Sequence, residues 1–465
     1  MNIDNNILLF KTLDFKDLGE KIMLMMNDRK LRERCIEKSK IVVKRCSWNE
    51  GARQYIDTFD RLYRGDSTKT KIGILLVNYD PNYRGGLNSY IEGLIDGLTK
   101  ADDKNDYYIL TYQRNEKYYQ RYVKNNFFSA ASPDPGKKTL IFNYYLLTIF
   151  TAPFLRNFYF YLESILYRRL IRQINSMKLD IIYSPSVPFF PMRIKGKLII
   201  SPHDIQQVHY PQYFSLVERW RRATFFPVTF KKADIIQASS YFMKNEFHRY
   251  MKAPLNKIVV IPEGVMDVFI QFRSNLNKSK VIMKKFGLNP GYLFYPAQHW
   301  QHKNHTTLLK AVMWIKKKYS MDVKVVFTGE KQPKFNYLYN FVEENGLKDS
   351  VKFVGNVKLS ELFYIYHNAS IVVVPGGYES SSLPVREAMA LGKLVIAARN
   401  GSNEEINVDN NIVLFDTYNC NELADKIVNL IRNKGVGREL VKKSRKVARA
   451  YRWETIARKY IDIYS

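Results

Sequence analysis

Short apolar runs alternate with amphipathic stretches along most of the chain, a pattern that predicts buried parallel strands joined by helices. The first run is KIGILLVNYD, beginning at Lys71, and a helical period follows it in SYIEGLIDGLTK. Later runs read YYILTY, IIYSP, KLIISP and ADIIQAS in a first series, then YLFYPA, KVVFTGE, VKFVGN, SIVVVPGG and KLVIAA in a second. Two such series predict an α/β protein with two Rossmann-like, doubly wound domains.

The same pattern sets the expected domain organisation. The first domain is expected at residues 70–268 and the second at residues 282–445, joined by a polar linker near residues 271–280. Ligands of doubly wound sheets bind at the carboxyl ends of the strands. The functional site is therefore expected in the cleft between the two sheets.

Residues 4–60 repeat residues 409–465 without a gap. DNNILLFKT matches DNNIVLFDT, and SWNEGARQYID matches RWETIARKYID. Two lysine-rich amphipathic helices that resembled each other by composition alone would not keep one register through both blocks. We therefore interpret residues 1–66 as a helical remnant that repeats the C-terminal tail, and we expect their deletion to leave activity largely intact.

Composition points to an anionic partner. The 465 residues carry 73 Lys and Arg against 44 Asp and Glu, a formal net charge of +29, which suits phosphorylated ligands, an anionic membrane face or nucleic acid. The three cysteines lie far apart, which argues against a disulfide scaffold or a zinc site and fits a reducing compartment. No signal peptide follows from MNIDNN, and no uncharged run is long enough to cross a bilayer.

The segment VPGGYESSSLPVREAMALGKLVIAA carries the strongest chemical signal. A predicted strand ends at Val374, and a helix is expected to begin near Pro384 with Ser382 as its cap. Backbone N–H groups at the positive end of that helix suit a phosphate. Glu387 lies one turn inside the helix, so that its carboxylate and that of Glu379 can face one cleft.

The spacing of these two glutamates, followed by AMALGKLVIAA, closely resembles the E-x7-E signature of retaining GT-B glycosyltransferases of family 4, the glycosyl transferases group 1. YPAQHWQHKNHTTLLKA resembles the donor-phosphate loop of bacterial members that build surface polysaccharide, and IPEGV, VVFTGE and VKFVGNV also occur in the family's order. The resemblance covers roughly residues 71–465. It implies an acceptor-binding first domain, a nucleotide-sugar-binding second domain, and a helix at 446–465 that crosses back to the first domain.

The resemblance also implies roles for single residues. Glu379 would bind the donor sugar and face the charge that develops at its anomeric carbon, and His203 would bond the sugar nearby. Lys303 would hold the departing diphosphate, and Glu387 would hold the ribose hydroxyls. The expected catalytic residues are thus Glu379, His203 and Lys303. The expected donor-binding residues are Gly85, Gly86, Gln298, Lys303, Ser382, Leu383 and Glu387.

Some features depart from the family pattern or carry little weight alone. The family usually has an arginine five residues before its lysine, but Gln298 stands there, so one positive charge is missing. A structural turn explains the glycine pair Gly85 and Gly86 about as well as a phosphate loop does. The chain has no Asp-x-Asp motif, so neither a metal nor a cofactor is expected, and lysine and helix-end N–H groups would neutralise the diphosphate.

The resulting hypothesis is a retaining, metal-independent hexosyltransferase. It would move a hexose from a donor of the GDP-mannose or UDP-sugar class to a lipid-linked or polysaccharide acceptor in lipopolysaccharide, capsule or exopolysaccharide synthesis. The aromatic, basic-edged stretch 140–173 and the segment RWRRATFF at 219–226 suit an anionic membrane surface, although the aromatics could equally pack in a core. We expect a cytoplasmic enzyme that is peripheral on the inner face of the plasma membrane.

Two other classes of protein stay open. A GT-B-shaped sugar-nucleotide epimerase or phosphorylase would also handle sugar phosphates, but the glutamate pair and the lack of a pyridoxal-phosphate lysine motif count against it. A catalytically degenerate, basic binding protein would explain the charge and the remnant. No nucleic-acid-binding motif occurs, so no nucleic-acid partner is expected.

Overall fold

The computed structural model describes residues 69–77, 79–81, 86–134, 165, 167–187, 193–329 and 336–464, with scattered positions between 20 and 33. The predicted remnant at 1–66 lies almost wholly outside these residues. Gly85 and most of the aromatic stretch 140–173 also lie outside them. The interpretation of 1–66 as a remnant, the donor-binding role of Gly85 and the membrane-surface role of 140–173 therefore stay predictions.

In the described part of the chain, seven parallel strands form a first sheet in the order β3-β2-β1-β4-β5-β6-β7. The strands are β1 (Lys71–Leu75), β2 (Asp106–Tyr112), β3 (Phe127–Ser132), β4 (Ile181–Ser184), β5 (Lys197–Ile200), β6 (Ile235–Ala238) and β7 (Ile258–Val260). The helices between them are α1 (Gly86–Ala101), α2 (Gln113–Tyr119), α3 (Arg168–Ser176), α4 (Gln206–His209), α5 (Leu216–Lys232) and α6 (Tyr241–Met251).

A second sheet holds six described parallel strands in the order β10-β9-β8-β11-β12-β13. The strands are β8 (Leu293–Pro296), β9 (Val325–Thr328), β10 (Val351–Phe353), β11 (Ile371–Val374), β12 (Leu394–Ala398) and β13 (Val413–Phe415). The helices of this half are α7 (Asp267–Ile270), α8 (Leu276–Phe286), α9 (His305–Tyr319), α10 (Asn336–Glu344), α11 (Leu359–Asn368), α12 (Leu383–Ala390), α13 (Gly401–Ile406), α14 (Cys420–Arg432), α15 (Lys434–Ala448) and α16 (Trp453–Tyr464).

The predicted fold class is confirmed, and each apolar run forms a strand. The central strand β11 shows why, since all four residues of IVVV are buried. Helices cover both faces of a parallel sheet, so its inner strands are apolar throughout rather than alternating. Three strands were not predicted, namely β3, β7 and β13. Each lies at a sheet edge.

The passage between the sheets is more structured than a polar linker. Asn275 caps α8 by accepting a hydrogen bond from the backbone N–H of Lys278 at 3.0 Å, so half of the stretch 271–280 is helical. Val265 and Phe269 are already buried in the core of the second sheet. The domain boundaries at 268 and 282 remain sequence-based predictions.

The C-terminal helix α16 packs against α1 of the first sheet. Its Trp453 is buried, and a Cβ placed on Gly93 would lie 2.0 Å from the indole nitrogen. A Cβ on Gly97 would meet the backbone of Trp453 at 2.7 Å. The two glycines of α1 therefore create the groove that receives this helix.

Candidate active site

The strand order of each sheet reverses at one place, between β1 and β4 in the first sheet and between β8 and β11 in the second. Loops leaving neighbouring strands in opposite directions open a crevice at such a switch point, beyond the carboxyl ends of the strands. Lys303 follows β8 and Glu379 follows β11. Gly86 opens α1 after β1, and His203 follows β5, the neighbour of β4.

Lys303 and Glu379 form a salt bridge at the switch point of the second sheet. The Lys303 Nζ atom lies 2.9 Å from each carboxylate oxygen of Glu379. The Glu379 side chain is only 6 % exposed, whereas that of Lys303 is 22 % exposed. The carboxylate is therefore sheltered, and its cationic partner is the member of the pair that water and ligands can reach.

The backbone around this pair is fixed by contacts between loops. Asn304 adopts a left-handed conformation (φ 54°) and its side-chain amide donates to the Pro375 carbonyl at 3.0 Å, which joins the loop after β8 to the loop after β11. A Cβ on Gly376 would lie 2.4 Å from a carboxylate oxygen of Glu379. Only glycine leaves room for the carboxylate to fold back over this turn.

Lys303 is the one charged cation between residues 297 and 304, a loop that the structure describes completely. Gln298 is half-buried there, in place of the family's arginine. Burial, with the nearby Lys303 charge, lowers the pKa of His302 to about 3, and burial lowers that of His299 to about 4. Both imidazoles are neutral near pH 7, so this loop presents a single charged group, the Lys303 ammonium.

The start of α12 differs from the sequence-based expectation. Ser382 does precede the helix, but its φ of 54° is left-handed and its side chain makes no capping hydrogen bond, so the predicted hydroxyl cap is wrong. Side-chain caps form from extended backbone, which directs the oxygen at the N–H groups of the first turn. The Ser382 hydroxyl is instead buried without a hydrogen-bond partner. Leu383 lies next to it, 3.8 Å from where a Cβ on Gly86 would stand.

Glu387 lies one turn inside α12. Its carboxylate accepts a hydrogen bond from the Tyr366 hydroxyl at 2.7 Å. Burial raises the pKa of Glu387 to about 7, and the Tyr366 hydrogen bond only partly opposes this shift. A carboxylate that is half-protonated near neutral pH is suited to sharing hydrogen bonds with ligand hydroxyls.

His203 is held by protein atoms on both sides of its ring. Its Nδ1 lies 2.9 Å from a carboxylate oxygen of Glu263, and its Nε2 lies 2.8 Å from the Pro185 carbonyl. Burial by itself would lower the pKa of His203, but the hydrogen bond and charge of Glu263 outweigh it and raise that pKa. The charged ring donates through both nitrogens, so binding a sugar through either one would require releasing a protein acceptor.

Sequence reasoning did not identify Glu263, Ser381 and Arg386 as site residues. Glu263 is 4 % exposed, and burial by itself would raise its pKa. The hydrogen bonds that it accepts from His203 and Ser381 outweigh burial and lower that pKa. The Ser381 hydroxyl in turn accepts from the buried guanidinium of Arg386 on α12. One polar network therefore runs from His203 on the first sheet to the start of α12 on the second. The available signal was a lone glutamate inside the apolar segment IPEGV.

A second set of contacts holds the same loop from the first sheet. The Ser239 hydroxyl donates to the Ser380 carbonyl at 2.8 Å, and the Ser240 hydroxyl reaches it at 3.2 Å. Glu405 accepts hydrogen bonds from the backbone N–H groups of Tyr241, at 2.8 Å, and Phe242. The Ser380 carbonyl is thus held by the first half of the protein, and Glu405 on α13 joins the second half to the start of α6.

Comparison with known families identifies the class of protein. The model of Glycosyltransferase Family 4 matches residues 84–267, and that of Glycosyl transferases group 1 matches residues 279–449. Together the two matches include every described strand of the two sheets except β1. The chain belongs to the family 4 glycosyltransferases, which have the GT-B fold.

Relatives of known sequence are similar over much of their length. The chain is 26 % identical over 378 residues to an uncharacterized glycosyltransferase of Methanocaldococcus jannaschii. This alignment covers 80 % of this chain and 92 % of the relative. It is 23 % identical over 285 residues to O-antigen chain mannosyltransferase B of Escherichia coli. This alignment covers 61 % of this chain and 74 % of the relative.

Solved structures support the fold. Anabaena HepE in complex with UDP and glucose superposes with a TM-score of 0.63 at 16 % identity, covering 85 % of this chain and 99 % of that one. WaaG, a glycosyltransferase involved in lipopolysaccharide biosynthesis, gives a TM-score of 0.59 at 13 % identity, with 85 % and 99 % covered. At these identities the likeness establishes the GT-B architecture alone.

Proposed function

We propose that this protein transfers a hexose from a nucleoside diphosphate sugar to a glycan or lipid-linked acceptor of a cell-surface polysaccharide. The observation that carries the proposal is the Lys303–Glu379 pair at the switch point, which is followed along the chain by the start of α12 and its Glu387. These groups supply a cation for a diphosphate, a carboxylate for a sugar and a second carboxylate for a ribose.

The choice of substrates is supported by what similar proteins bind. HepE was solved with UDP and glucose, and an O-antigen mannosyltransferase is among the relatives. These likenesses support the proposal of a donor of the UDP-sugar or GDP-mannose class and a polysaccharide acceptor. Among the residues that the structure describes, no helix is long and apolar enough to cross a membrane.

Lys303 would change partners during the reaction. In the structure its ammonium group bonds both oxygens of Glu379. A diphosphate with two negative charges would draw the ammonium away, because charge-assisted bonds to phosphate strengthen in a sheltered site. Glu379 would then be free to bind sugar hydroxyls and to face the positive charge at the anomeric carbon as the bond to the diphosphate breaks.

The route that follows is metal-independent and retaining. Lys303 and the N-terminal end of α12 would stabilise the departing diphosphate, as a metal ion does in other transferases. The sequence suggests no second carboxylate as a nucleophile, so the acceptor would attack from the face that the diphosphate leaves. His203, kept charged by Glu263, would add positive potential to the same region.

Turnover of the donor tests this proposal. We expect release of nucleoside diphosphate from one of UDP-glucose, UDP-galactose or GDP-mannose, in the presence of the chelator EDTA, and loss of that release in Glu379→Ala. Glu343→Ala, at an exposed carboxylate on α10, is the matched control and should keep wild-type turnover. Equal turnover in wild type and Glu379→Ala would contradict the proposed role of the carboxylate.

A further inference from the structure

The first turns of α5 expose apolar side chains. Leu216 is 69 % exposed and Trp220 is 62 % exposed, with Val217 exposed between them. Residues four apart lie on one face of a helix, so the three side chains form one strip, which we call the α5 strip. Its exposed area is unusual, because a large apolar side chain gains roughly 1.5–3 kcal/mol when it leaves water.

The rest of α5 explains why the strip stays outside the core. Phe225, Phe226 and Phe230 are buried and anchor the C-terminal half of the helix to the first sheet. Ala223 and Pro227 are exposed, so the outward face carries no acid as it continues along the helix. The fold of the described residues therefore holds the helix in place without using the strip.

The net charge of α5 is positive, with five Lys and Arg against one Glu. Arg219 is exposed between Val217 and Trp220. Glu218, the helix's only acid, is neutralised by Arg221 at 2.7 Å and Arg222 at 2.9 Å. The helix ends in the exposed cations Lys231 and Lys232. The strip is thus an apolar patch set in positive charge, on a chain whose formal net charge is +29.

We propose that the α5 strip docks on an anionic lipid bilayer. Leu216, Val217 and Trp220 enter the boundary between headgroups and acyl chains, and Arg219 binds lipid phosphates. An apolar helix face bordered by cations is suited to this interface, and an indole suits the boundary between its polar and apolar layers. A second copy of the chain is a poorer occupant, since a symmetric contact would bring Arg219 towards the same cation of its partner.

Docking of the α5 strip on a bilayer is independent of the proposed transferase activity, because it requires neither donor nor acceptor. It is measured with no sugar nucleotide present, so the failure of one proposal leaves the other intact. Co-sedimentation of the full chain with vesicles of equal parts phosphatidylcholine and phosphatidylglycerol, against pure phosphatidylcholine vesicles, is the direct assay.

We expect binding to the mixed vesicles and little to the neutral ones. Leu216→Ser/Trp220→Ser should weaken binding about tenfold or more, from the lost burial of two side chains, and Arg219→Glu about tenfold. The matched control is Leu276→Ser/Val281→Ser on α8, which removes two equally exposed apolar residues among lysines. Because those residues are five apart and do not share a face, that variant should bind as wild type does.

Three results would overturn the proposal. Equal binding by wild type and the Leu216→Ser/Trp220→Ser variant would show that diffuse charge, not the strip, contacts lipid. Absence of binding to either vesicle would exclude the bilayer. Concentration-dependent dimerisation in analytical ultracentrifugation, abolished by the same substitutions, would assign the strip to a second copy. Thermal unfolding midpoints equal to wild type establish that each variant is folded.

Discussion

Each half of the protein brings one sheltered carboxylate and its cation to the carboxyl ends of its strands, and the two pairs differ in what else holds the cation. In the second half, the Lys303 ammonium group has the two oxygens of Glu379 as its partners among the described residues and is partly open to water. In the first half, His203 bonds Glu263 on one side and the Pro185 carbonyl on the other.

This difference separates a pair that can exchange partners from one that is locked. An ammonium group on a flexible four-carbon stem can turn from a carboxylate to a phosphate by rotation of its own side chain. An imidazolium with both N–H groups bonded to protein cannot turn without losing a buried hydrogen bond. We infer that the Lys303–Glu379 pair takes part in the reaction, whereas Glu263 is a positioning residue that orients and charges His203.

The largest effect is expected from breaking the exchangeable pair. Lys303→Ala removes the one charged cation of the loop 297–304, so kcat/KM for donor turnover should fall by about 10²–10³, the usual cost of losing one stabilising group at a developing anion. Steady-state kinetics measure this change. Lys310→Ala, at an exposed lysine on the following helix, is the control. A loss of less than threefold in Lys303→Ala would contradict the account.

A smaller effect is expected from Glu263→Gln. The substitution removes the carboxylate that keeps His203 charged, and the free energy of unfolding should fall by about 1.5–3 kcal/mol, as for a buried hydrogen bond to a charged group. The KM for the donor should change less than kcat, since Glu263 orients His203 without itself binding the donor.

The pH dependence of that stability difference follows from the two pKa shifts. The raised pKa of His203 stabilises the protein fully below its ordinary value of 6.5 and ceases to do so as pH rises through the folded value. The lowered pKa of Glu263 stabilises it fully above 4.5 and ceases to do so as pH falls through the folded value. Urea unfolding should therefore show the largest gap between wild type and Glu263→Gln between these pH values. A gap that widens above pH 6.5 would contradict the ion pair.

The raised pKa of Glu387, in the second half of the protein, predicts a pH-dependent affinity for the donor nucleotide. Its pKa is raised to about 7, so the carboxylate is ionised above that pH. The ionised form accepts stronger hydrogen bonds from ribose hydroxyls than the protonated form does. Calorimetric affinity for the nucleoside diphosphate should fall as pH drops through 7, and Glu387→Gln should remove this dependence while weakening binding about tenfold. Inorganic diphosphate, which has no ribose, should bind both proteins alike. Weaker binding of inorganic diphosphate to Glu387→Gln would contradict the ribose assignment.

The smallest effect is expected at Ser382. Its left-handed backbone strains any residue with a Cβ, so Ser382→Gly should raise the free energy of unfolding by about 1 kcal/mol. Ser382→Ala keeps the strain and loses only a hydroxyl that has no partner, so its stability should be close to that of wild type. Thermal unfolding of the two variants measures the difference. A stability loss in Ser382→Ala above about 1 kcal/mol would point to a capping bond after all.

The sequence predicted the parts of the molecule that local pattern controls. Inner strands such as β11 are apolar throughout because helices cover both of their faces, and this signal is visible without a fold. The resemblance to the family located Lys303 and Glu379, which the fold then brings within 2.9 Å of each other. The motif spacing alone could not show that contact, because the two residues lie on different loops.

What the sequence missed depends on contacts that form only in three dimensions. Glu263 gains its role from His203 and Ser381, which stand far from it in the chain. Ser382 has the composition of a helix cap, but the turn after Glu379 places its backbone in the left-handed region. Tertiary packing overrides a residue's local preference in such turns.

A thermal-shift panel of UDP, GDP, ADP and dTDP, with and without magnesium, tests the central claim most directly. A ligand that binds only the folded state stabilises it by mass action, by about 2.7 kcal/mol at a hundred times its dissociation constant. We expect a shift with one diphosphate, unchanged by magnesium, lost in Lys303→Ala and kept in Lys310→Ala. Absence of a shift with every nucleotide, or a shift that survives Lys303→Ala undiminished, would contradict it.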